Sequence, residues 1–216
     1  MKVVIIGGHG KVALRLATIL SDQDHEVTSV IRNPAQSADV ADTGAEPYVA
    51  DVEHLDTTAL VDVVSGQDAV VWAAGAGGGS PERTYAVDRD AAIRVIDAAE
   101  QAGVPRFVML SYFGASLDHQ VPGDDPFFAY AEAKAAADQH LRDSALEWTI
   151  VAPSALTDKD GTGQILTAES GATASEVSRD DVAEVIAEVL ATGRASGRMV
   201  EFNNGTVPIS EALAAL

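Results

Sequence analysis

The sequence predicts an α/β protein built on a doubly wound parallel sheet, and three observations support this fold class. The chain opens with a short apolar run rich in β-branched residues, Lys2 to Ile6, and a glycine-rich turn follows at once. Apolar residues at helical spacing come next. Strand-like and helix-like segments then alternate along the chain, an order typical of a parallel sheet with helices on both faces. We expect residues 1–216 to form one domain, because this length buries a sizeable core.

The patterning also predicts approximate bounds for the elements. Strands are expected at about residues 2–6, 26–31, 47–50, 68–73, 106–110 and 147–152. Helices are expected at about 11–22, 55–64, 83–102, 128–143 and 179–192. A late strand at about 199–203 is expected to precede a short terminal helix.

Composition narrows the function classes. The chain has no cysteine, which excludes disulfides, thiolate chemistry and cysteine-ligated metals. The histidines have no metal-ligand spacing and no Gly-x-Ser-x-Gly motif is present, so neither a metal site nor a serine hydrolase is predicted. The net charge of −19 argues against nucleic acid or an anionic membrane as a partner, and it fits either a high-salt adaptation or an ordinary acidic surface. No apolar run reaches transmembrane length, so a cytoplasmic location is expected.

The turn after the first strand has the spacing Gly7-x-x-Gly10-x-x-Ala13. Gly7 lets the chain leave the strand in a conformation that a Cβ disfavours, and Gly10 removes a side chain where the backbone approaches a pyrophosphate. Ala13 keeps the helix and the strand close. Free N–H groups at the start of the helix attract phosphate. The turn therefore predicts a dinucleotide site, and the alternative is a tight strand–helix turn that holds no ligand.

Charged residues near the next strands refine this prediction. A dinucleotide is an anion, so an acidic chain needs local positive charge, for which Lys11 and Arg32 are candidates. Arg32 follows the second strand, where an acidic residue suits the ribose of NAD and an arginine suits the 2′-phosphate of NADP. Asp51 and Val52 follow the third strand and could meet the adenine. Alternatively, Arg32 is an exposed loop arginine and Asp51 only begins a turn.

Small residues follow the fourth strand in the run from Ala73 through Ala74 and Gly75 to Ser80. Ligands of such sheets bind at the carboxyl ends of the strands, and small residues there allow the backbone to approach them closely. The alternative is a flexible loop, which the run of glycines favours in any case.

A tyrosine, a lysine and a serine are candidate catalytic residues. Tyr130 and Lys134 are four residues apart and share one face of a predicted helix, while Ser111 stands just past the fifth strand. A nearby ammonium is expected to lower the pKa of the phenol, so that Tyr130 exchanges a proton with a carbonyl or alcohol. Ser111 could hydrogen-bond the same oxygen. The alternative is a tyrosine and a lysine on an ordinary helix surface.

Taken together, these motifs resemble one family over nearly the full length of the chain. The residues that carry the resemblance are Gly7-x-x-Gly10-x-x-Ala13, Arg32, Asp51-Val52, Ala73-Ala74-Gly75, Ser111, Tyr130-x-x-x-Lys134, Trp148 to Pro153 and Ser178 to Ala183. They are similar to the motifs of the atypical short-chain dehydrogenases/reductases, in the NAD(P)H-binding, NmrA-like group. The joint pattern is far more specific than any single motif.

The resemblance implies a Rossmann fold with a small C-terminal substrate lobe at about residues 153–178 and 199–208. It implies NADP as the cofactor, with NAD less favoured. The implied cofactor-binding residues are Gly7, His9, Gly10, Lys11, Val12, Arg32, Asp51, Val52, Ala73, Ala74, Gly75, Lys134, Pro153, Ser154 and Ala155. The implied catalytic residues are Tyr130, Lys134 and Ser111, with Lys134 also at the nicotinamide ribose.

Two departures concern the substrate pocket. The family usually has an arginine where this chain has Ala152, and often a second serine where it has Tyr112. The leading hypothesis is an NADP-dependent oxidoreductase, or a related epimerase-like enzyme, that acts on a small carbonyl, quinone or flavin-like substrate. The alternatives are a non-catalytic NADP(H) sensor that docks a protein partner and a structural relic that binds no cofactor. The oligomeric state stays open.

Overall fold

The computed structural model describes residues 1–78 and 80–216, so Gly79, within the glycine-rich run expected to be flexible, lies outside the described residues. The strands are β1 (Lys2–Ile6), β2 (Glu26–Ile31), β3 (Glu46–Val49), β4 (Ala69–Trp72), β5 (Arg106–Leu110), β6 (Glu147–Pro153), β7 (Ala155–Thr157), β8 (Gln164–Thr167), β9 (Glu176–Ser178), β10 (Arg198–Asn204) and β11 (Val207–Pro208). The α-helices are α1 (Lys11–Asp22), α2 (Ser37–Ala41), α3 (Thr57–Val64), α4 (Pro81–Thr84), α5 (Ala92–Ala102), α6 (Phe128–Asp143), α7 (Arg179–Thr192) and α8 (Ile209–Ala214). A π-helical segment, Tyr85–Ala91, joins α4 to α5, and short 3-10 turns span Pro34–Gln36 and Ala168–Ser170.

The main sheet has the order β11-β8-β10-β6-β5-β4-β1-β2-β3 over the described residues. The first six strands and β10 run parallel, whereas β8 is antiparallel to β10 and β11 is antiparallel to β8. The chain proceeds outward from β1 to β3 and then returns to β4 on the other side of β1. Strand order therefore reverses between β1 and β4, which is where ligands bind at the carboxyl ends of such sheets. The predicted doubly wound parallel fold is confirmed.

The sheet carries a core on each face because its central strands are buried on both sides. In β1, Val3 and Ile5 pack toward α1 and α7, while Val4 and Ile6 pack toward α3 and α5. Consecutive strand residues point to opposite faces, so an uninterrupted apolar run such as this one fills both cores.

The C-terminal segments predicted as a small lobe, 153–178 and 199–208, are divided between two sheets. β10 pairs with β6 from Arg198↔Thr149 to Phe202↔Pro153 and so extends the main sheet. β8 and β11 continue that sheet in antiparallel fashion, and β7 and β9 form a separate two-stranded sheet. The sequence pattern did not predict this pairing because it connects strands far apart in the chain.

Helix starts differ from the predictions where a capping residue decides them. Asp56 accepts a hydrogen bond from the Ala59 amide, so α3 begins at Thr57 rather than at residue 55. Ser80 caps α4, whose first position is Pro81, two residues before the predicted start. Both caps follow the preference for Ser or Asp before a helix and for proline at its first position. No helix in the described part of the chain is both long and apolar enough to span a bilayer.

Candidate functional site

A cleft of about 490 Å³ opens at the carboxyl ends of β1, β2, β3 and β4. We call it the first cleft. Its walls come from the glycine turn after β1 and from the residues that end the other three strands. They include Gly7, His9, Gly10, Ile31, Arg32, Asn33, Ala50, Asp51, Val52, Glu53, Ala73, Ala74, Gly75, Gly77 and Arg83. It therefore lies at the reversal of strand order, and most of the predicted cofactor-binding residues line it.

The floor of the first cleft is backbone, held close by glycines. Gly7 has a φ of +87°, and a Cβ there would lie 2.5 Å from the Cα of Ala74. A Cβ on Gly8 would lie 2.5 Å from that of Ser29, so Gly8, which the sequence analysis did not single out, is equally restricted. The amides of Gly7 and Gly8 both donate to the Val30 carbonyl, at 3.1 and 2.8 Å. The turn is thus clamped between β2 and the end of β4.

Helix α1 begins on this floor. Gly10 is its N-cap, and the Leu14 amide donates to the Gly10 carbonyl at 2.9 Å. The amides of Lys11, Val12 and Ala13 precede that first intrahelical bond and have no acceptor within the helix. Together with the helix dipole, they form an anion-binding terminus at the edge of the cleft. This backbone cradle, from which Cβ atoms are excluded, fits the pyrophosphate of a dinucleotide.

Two predicted residues of the turn do not line the cleft with their side chains. The Lys11 ammonium donates to Asp158 at 2.6 Å, and Asp158 also pairs with Arg179 at 3.0 Å. Val12 is buried in the core beneath the sheet. The positive charge of Lys11 is thus engaged by a carboxylate of the β7–β8 connection, so these two residues offer the cleft only their backbone amides.

Three charged side chains line one part of the first cleft. Glu53 lies between two arginines: Arg32 Nη1 is 3.5 Å and Arg83 Nε is 3.4 Å from the same Glu53 oxygen. Arg83 also donates to the Ala76 carbonyl at 2.5 Å and so anchors the chain after β4. The Arg32 side chain is 56% exposed and free to turn toward a ligand. Glu53 comes from the loop after β3 and Arg83 from helix α4, and no sequence motif connects them.

Asp51 and His9 line the first cleft and also hold the local chain. The Asp51 carboxylate accepts from the Glu53 amide at 3.2 Å and lies 3.1 Å from His54 Nδ1. Asp51 therefore begins a turn, which was the alternative interpretation of this residue. It also lines the cleft, as expected of a residue that meets the adenine. His9 Nε2 lies 2.8 Å from Asp39 Oδ2.

A second cleft, of about 410 Å³, continues from the first along Ala73, Ala74, Gly75 and Gly77, which line both. Ser111 reaches it from the end of β5, and Tyr130 and Lys134 reach it from α6. The structure therefore brings together the three predicted catalytic residues. Asp88 of the π-helical segment also lines this cleft.

Buried ionisable groups lie beneath the second cleft. Lys134 is 1% exposed, and its ammonium donates to Met109 Sδ at 3.2 Å. Ser111 Oγ lies 2.5 Å from Oδ2 of Asp138, which is fully buried one helical turn beyond Lys134. Asp88, 2% exposed, accepts from the Ala76 amide at 2.9 Å. Asp138 was missed by the sequence analysis, although its spacing from Tyr130 and Lys134 places it on the same helical face.

Burial sets the direction of each pKa in this group. It raises the pKa of Asp88 and of Asp138, because a low-dielectric surrounding disfavours a carboxylate. It lowers the pKa of Lys134 for the same reason, and the two carboxyls only partly oppose this. All three shifts favour the uncharged forms of the side chains.

The expected activation of Tyr130 by Lys134 runs in the opposite direction. Burial raises the pKa of Tyr130, and the nearby Asp88 and Asp138 carboxyls raise it further. The Tyr130 hydroxyl and the Lys134 ammonium share no hydrogen bond within the described part of the chain. The prediction of a phenolate favoured by Lys134 is therefore wrong, because helical spacing does not reveal burial or neighbouring carboxyls.

Aromatic side chains form one wall of the second cleft. The ring centroids of Tyr112, Phe127 and Tyr130 are 5.2 to 5.6 Å apart, with Tyr112 edge-on to Phe127. Phe127 is 42% exposed at the entrance, and Leu156 faces the cleft from β7. Tyr112, which stands where the family often has a second serine, packs against both of these rings and is not among the residues that line the cleft.

The last three predicted cofactor residues line neither cleft. Pro153 ends β6, and its carbonyl accepts from the Phe113 amide at 2.9 Å. Ser154 is buried, hydrogen-bonds Asn203 and accepts from the Ser175 amide, while Ala155 begins β7. Within residues 1–78 and 80–216, no cluster of His, Asp and Glu could hold a metal ion.

Comparison with known proteins agrees with this geometry. The NAD(P)H-binding family matches residues 7–193. A Bacillus subtilis (strain 168) protein, named as the uncharacterized sugar epimerase YhfK, is 33% identical over 218 residues, covering 100% of both chains. A Bacillus halodurans structure, assigned to the NAD-dependent epimerases/dehydratases, has a TM-score of 0.90 at 33% identity and 100% coverage of both chains. The Lactococcus lactis oxidoreductase ylbE has a TM-score of 0.88 at 29% identity, covering 100% of this chain and 96% of that one.

The chain therefore belongs to the NAD(P)H-binding family, and its doubly wound sheet is a Rossmann fold. This confirms the resemblance to the atypical short-chain dehydrogenases/reductases. The family membership and the backbone cradle at α1 both support a nicotinamide dinucleotide as the cofactor.

Proposed function

We propose that the protein is an NADP-dependent oxidoreductase that reduces a small carbonyl, quinone or flavin-like substrate. The observation that carries this proposal is the continuity of the two clefts along Ala73 to Gly77. A dinucleotide anchored in the first cleft would extend along these small residues toward Tyr130 and Ser111. The oxidoreductase name of the Lactococcus lactis neighbour supports this class of reaction. The epimerase names of the two Bacillus proteins support a related use of the same groups.

The first cleft would hold the cofactor through backbone and one guanidinium. The free amides at the start of α1 would bind the pyrophosphate, and Asp51 and Val52 would face the adenine. Arg32 would bind the 2′-phosphate of NADP, since it is exposed, lines the cleft and has only a 3.5 Å ion pair to give up. Lys134 lines the second cleft and would be available to ribose hydroxyls. The bound dinucleotide supplies the hydride equivalent.

Tyr130 would supply the proton that reduction of a carbonyl requires. Its raised pKa keeps the phenol protonated at neutral pH, which suits a proton donor better than a base. The alkoxide oxygen that forms from a carbonyl is a stronger base than a phenolate, so transfer of the phenolic proton to it is favourable. Tyr130 then recovers a proton from solvent at the half-exposed mouth of the cleft. The chemistry is thus better matched to reduction than to oxidation of an alcohol.

The aromatic wall supports a flat substrate. Phe127 and Tyr130 offer ring faces and edges near the place where a substrate would stand, and Tyr112 packs against both rings. Conjugated quinones and flavins gain dispersion and stacking energy from such surfaces, about 0.5–1.5 kcal/mol per aromatic pair. This wall favours them over small aliphatic carbonyls.

The variant Tyr130→Phe tests the proposal, with Tyr112→Phe as its matched control in the same aromatic wall. We expect Tyr130→Phe to lower turnover of a quinone or carbonyl panel by about 100-fold or more, because general acid catalysis contributes about 10²- to 10⁴-fold. NADPH affinity, measured by fluorescence titration, should be unchanged in both variants. Undiminished turnover in Tyr130→Phe would remove Tyr130 from the chemistry.

A non-catalytic NADP(H) sensor is the second candidate. The observation that favours it is the lack of a hydrogen bond between Lys134 and Tyr130, since the lysine contacts Met109 instead. A sensor should bind one redox state of NADP much more tightly than the other and oxidise no NADPH across the panel. Similar affinities for NADPH and NADP⁺, with turnover, would support the enzyme.

A further inference from the structure

Asp138 is a buried carboxyl with one satisfied and one unsatisfied oxygen. Its Oδ2 lies 2.5 Å from Ser111 Oγ, and its Oδ1, although buried, has no hydrogen-bond partner among the described residues. Lys134 lies one turn away on the same helix, but its ammonium contacts Met109 Sδ and forms no ion pair with Asp138 among the described residues. An ionised Asp138 would therefore be stabilised by a single hydrogen bond, the one from Ser111.

The short contact between Asp138 and Ser111 permits two arrangements of protons. If Asp138 is ionised, Ser111 must donate its only hydroxyl proton to Oδ2, and Ser111 then presents only lone pairs to the second cleft. If Asp138 is protonated, the acid donates to Ser111 Oγ, and the serine proton is free to point elsewhere. Burial strongly disfavours an ionised carboxylate with one oxygen unpaired, whereas an un-ionised acid leaves only an ordinary carbonyl oxygen unpaired.

We propose that Asp138 is a positioning residue that holds a proton and donates it to Ser111 Oγ, which frees the Ser111 hydroxyl to donate a hydrogen bond to an oxygen of a ligand in the second cleft. Ser111 is 5% exposed and lines that cleft, so its freed hydroxyl proton can be donated to a ligand in the cleft. The use of this hydrogen bond in catalysis rests on the proposed function, whereas the protonation of Asp138 does not.

The groups around Asp138 act on its pKa in opposite directions. Burial disfavours a negative charge on Asp138, whereas Lys134, Arg142 and the hydrogen bond with Ser111 favour it. The Tyr112 and Tyr130 phenols also lie close enough for Asp138 to raise their pKa values. Burial dominates and raises the pKa of Asp138. Loss of this proton at high pH would turn Ser111 from a donor into an acceptor and should weaken binding of a substrate oxygen.

Infrared difference spectroscopy of the cofactor-free protein tests the protonation directly. We expect Asp138→Asn at neutral pH to lose the carbonyl stretching band of an un-ionised carboxylic acid. Asp143→Asn, an exposed position on the same helix, is the matched control and should lose only ionised-carboxylate bands. Loss of ionised-carboxylate bands alone in Asp138→Asn would overturn the proposal. If that variant fails to fold, Ser111→Ala gives the same answer, since removal of the acceptor should shift the acid band.

Kinetics separate the positioning role from a structural one. Asparagine can donate from its amide to Ser111, so Asp138→Asn should stay within about threefold of the native turnover of a quinone and lose the decline at high pH. Asp138→Leu leaves Ser111 Oγ without the hydrogen bond that orients it toward the cleft and should raise KM by about tenfold, the equivalent of one hydrogen bond. Equal damage by both variants would contradict the donor role. If no turnover is found at all, the infrared result still decides the state of Asp138.

Discussion

The two clefts differ in which groups form them, backbone in the first and side chains in the second, although they share the residues from Ala73 to Gly77. The first cleft is mainly backbone: a glycine turn, a helix terminus and strand ends, with charged side chains at Arg32, Asp51, Glu53 and Arg83 and an imidazole at His9. The second cleft is underlain by buried titratable side chains, among them Asp88 and Lys134. Backbone amides have a fixed polarity, whereas side chains titrate. The polarity of the backbone floor of the first cleft is therefore independent of pH, whereas the buried side chains beneath the second cleft can gain or lose protons.

Because the first cleft is built mainly from closely packed backbone, we expect added side-chain atoms in its glycine turn to destabilise the fold. Gly7→Ala forces a Cβ to within 2.5 Å of the Ala74 backbone at a φ of +87°. We expect a loss of about 3 kcal/mol or more in the free energy of unfolding, from backbone strain and overpacking combined. Gly66→Ala is the matched control, because Gly66 has a φ of +75° and open space around it. Chemical denaturation measures both, and equal losses would mean that contact with Ala74 is unimportant.

A smaller effect is expected from the side chain that would select the cofactor. Arg32→Gln should lower NADPH affinity by about 10- to 100-fold, since charge-assisted hydrogen bonds are worth about 1.5–3 kcal/mol, and should leave NADH affinity nearly unchanged. Arg198→Gln removes a comparably exposed, singly paired arginine and should change neither affinity. Titration with both dinucleotides decides the matter, and a parallel loss of NADH binding would contradict a role for Arg32 at the 2′-phosphate.

The smallest effect is a pH dependence that belongs to the second cleft. Asp88 has a raised pKa in the folded protein, so the folded state holds its proton more tightly than the unfolded chain. Its stabilising contribution is therefore complete below about pH 4 and declines as pH rises, by at most about 1.4 kcal/mol per pH unit, until its folded-state pKa is passed. Asp88→Asn removes this decline while keeping an acceptor for the Ala76 amide. The stability difference between variant and native protein should shift in favour of the variant from pH 4 to pH 7 in urea titrations, and a constant difference would refute the assignment.

Local patterns predicted the parts of the fold that local forces determine. The bounds of β1, β2, β5, α1, α6 and α7 agree with the expectations, because each is a long apolar run or an amphipathic segment. The first cleft was predicted for the same reason: its turn, its strand ends and Arg32 are adjacent in sequence to the features that identify them. Its NADP preference remains a prediction.

The second cleft depends on contacts that no local pattern records. Spacing placed Tyr130 and Lys134 on one face of a helix, but their pKa directions follow from burial and from Asp88, which lies more than forty residues earlier in the chain. Glu53 and Arg83 likewise meet only after folding. The antiparallel addition of β8 to β10 was unpredictable for the same reason, since strand pairing at an edge is decided by tertiary contacts.

The π-helical segment Tyr85–Ala91 lies between α4 and α5 and separates the side-chain orientations of these two helices. A π turn accommodates an extra residue, which rotates the side chains before it relative to those after it. Val95, Ile96 and Ala99 of α5 therefore keep their packing in the core, while Asp88 points into the second cleft. In evolutionary terms, one inserted residue can add a carboxyl to an active cleft without any repacking behind it. Relatives without this insertion would keep the sheet and the glycine turn but would lack this carboxyl in the second cleft.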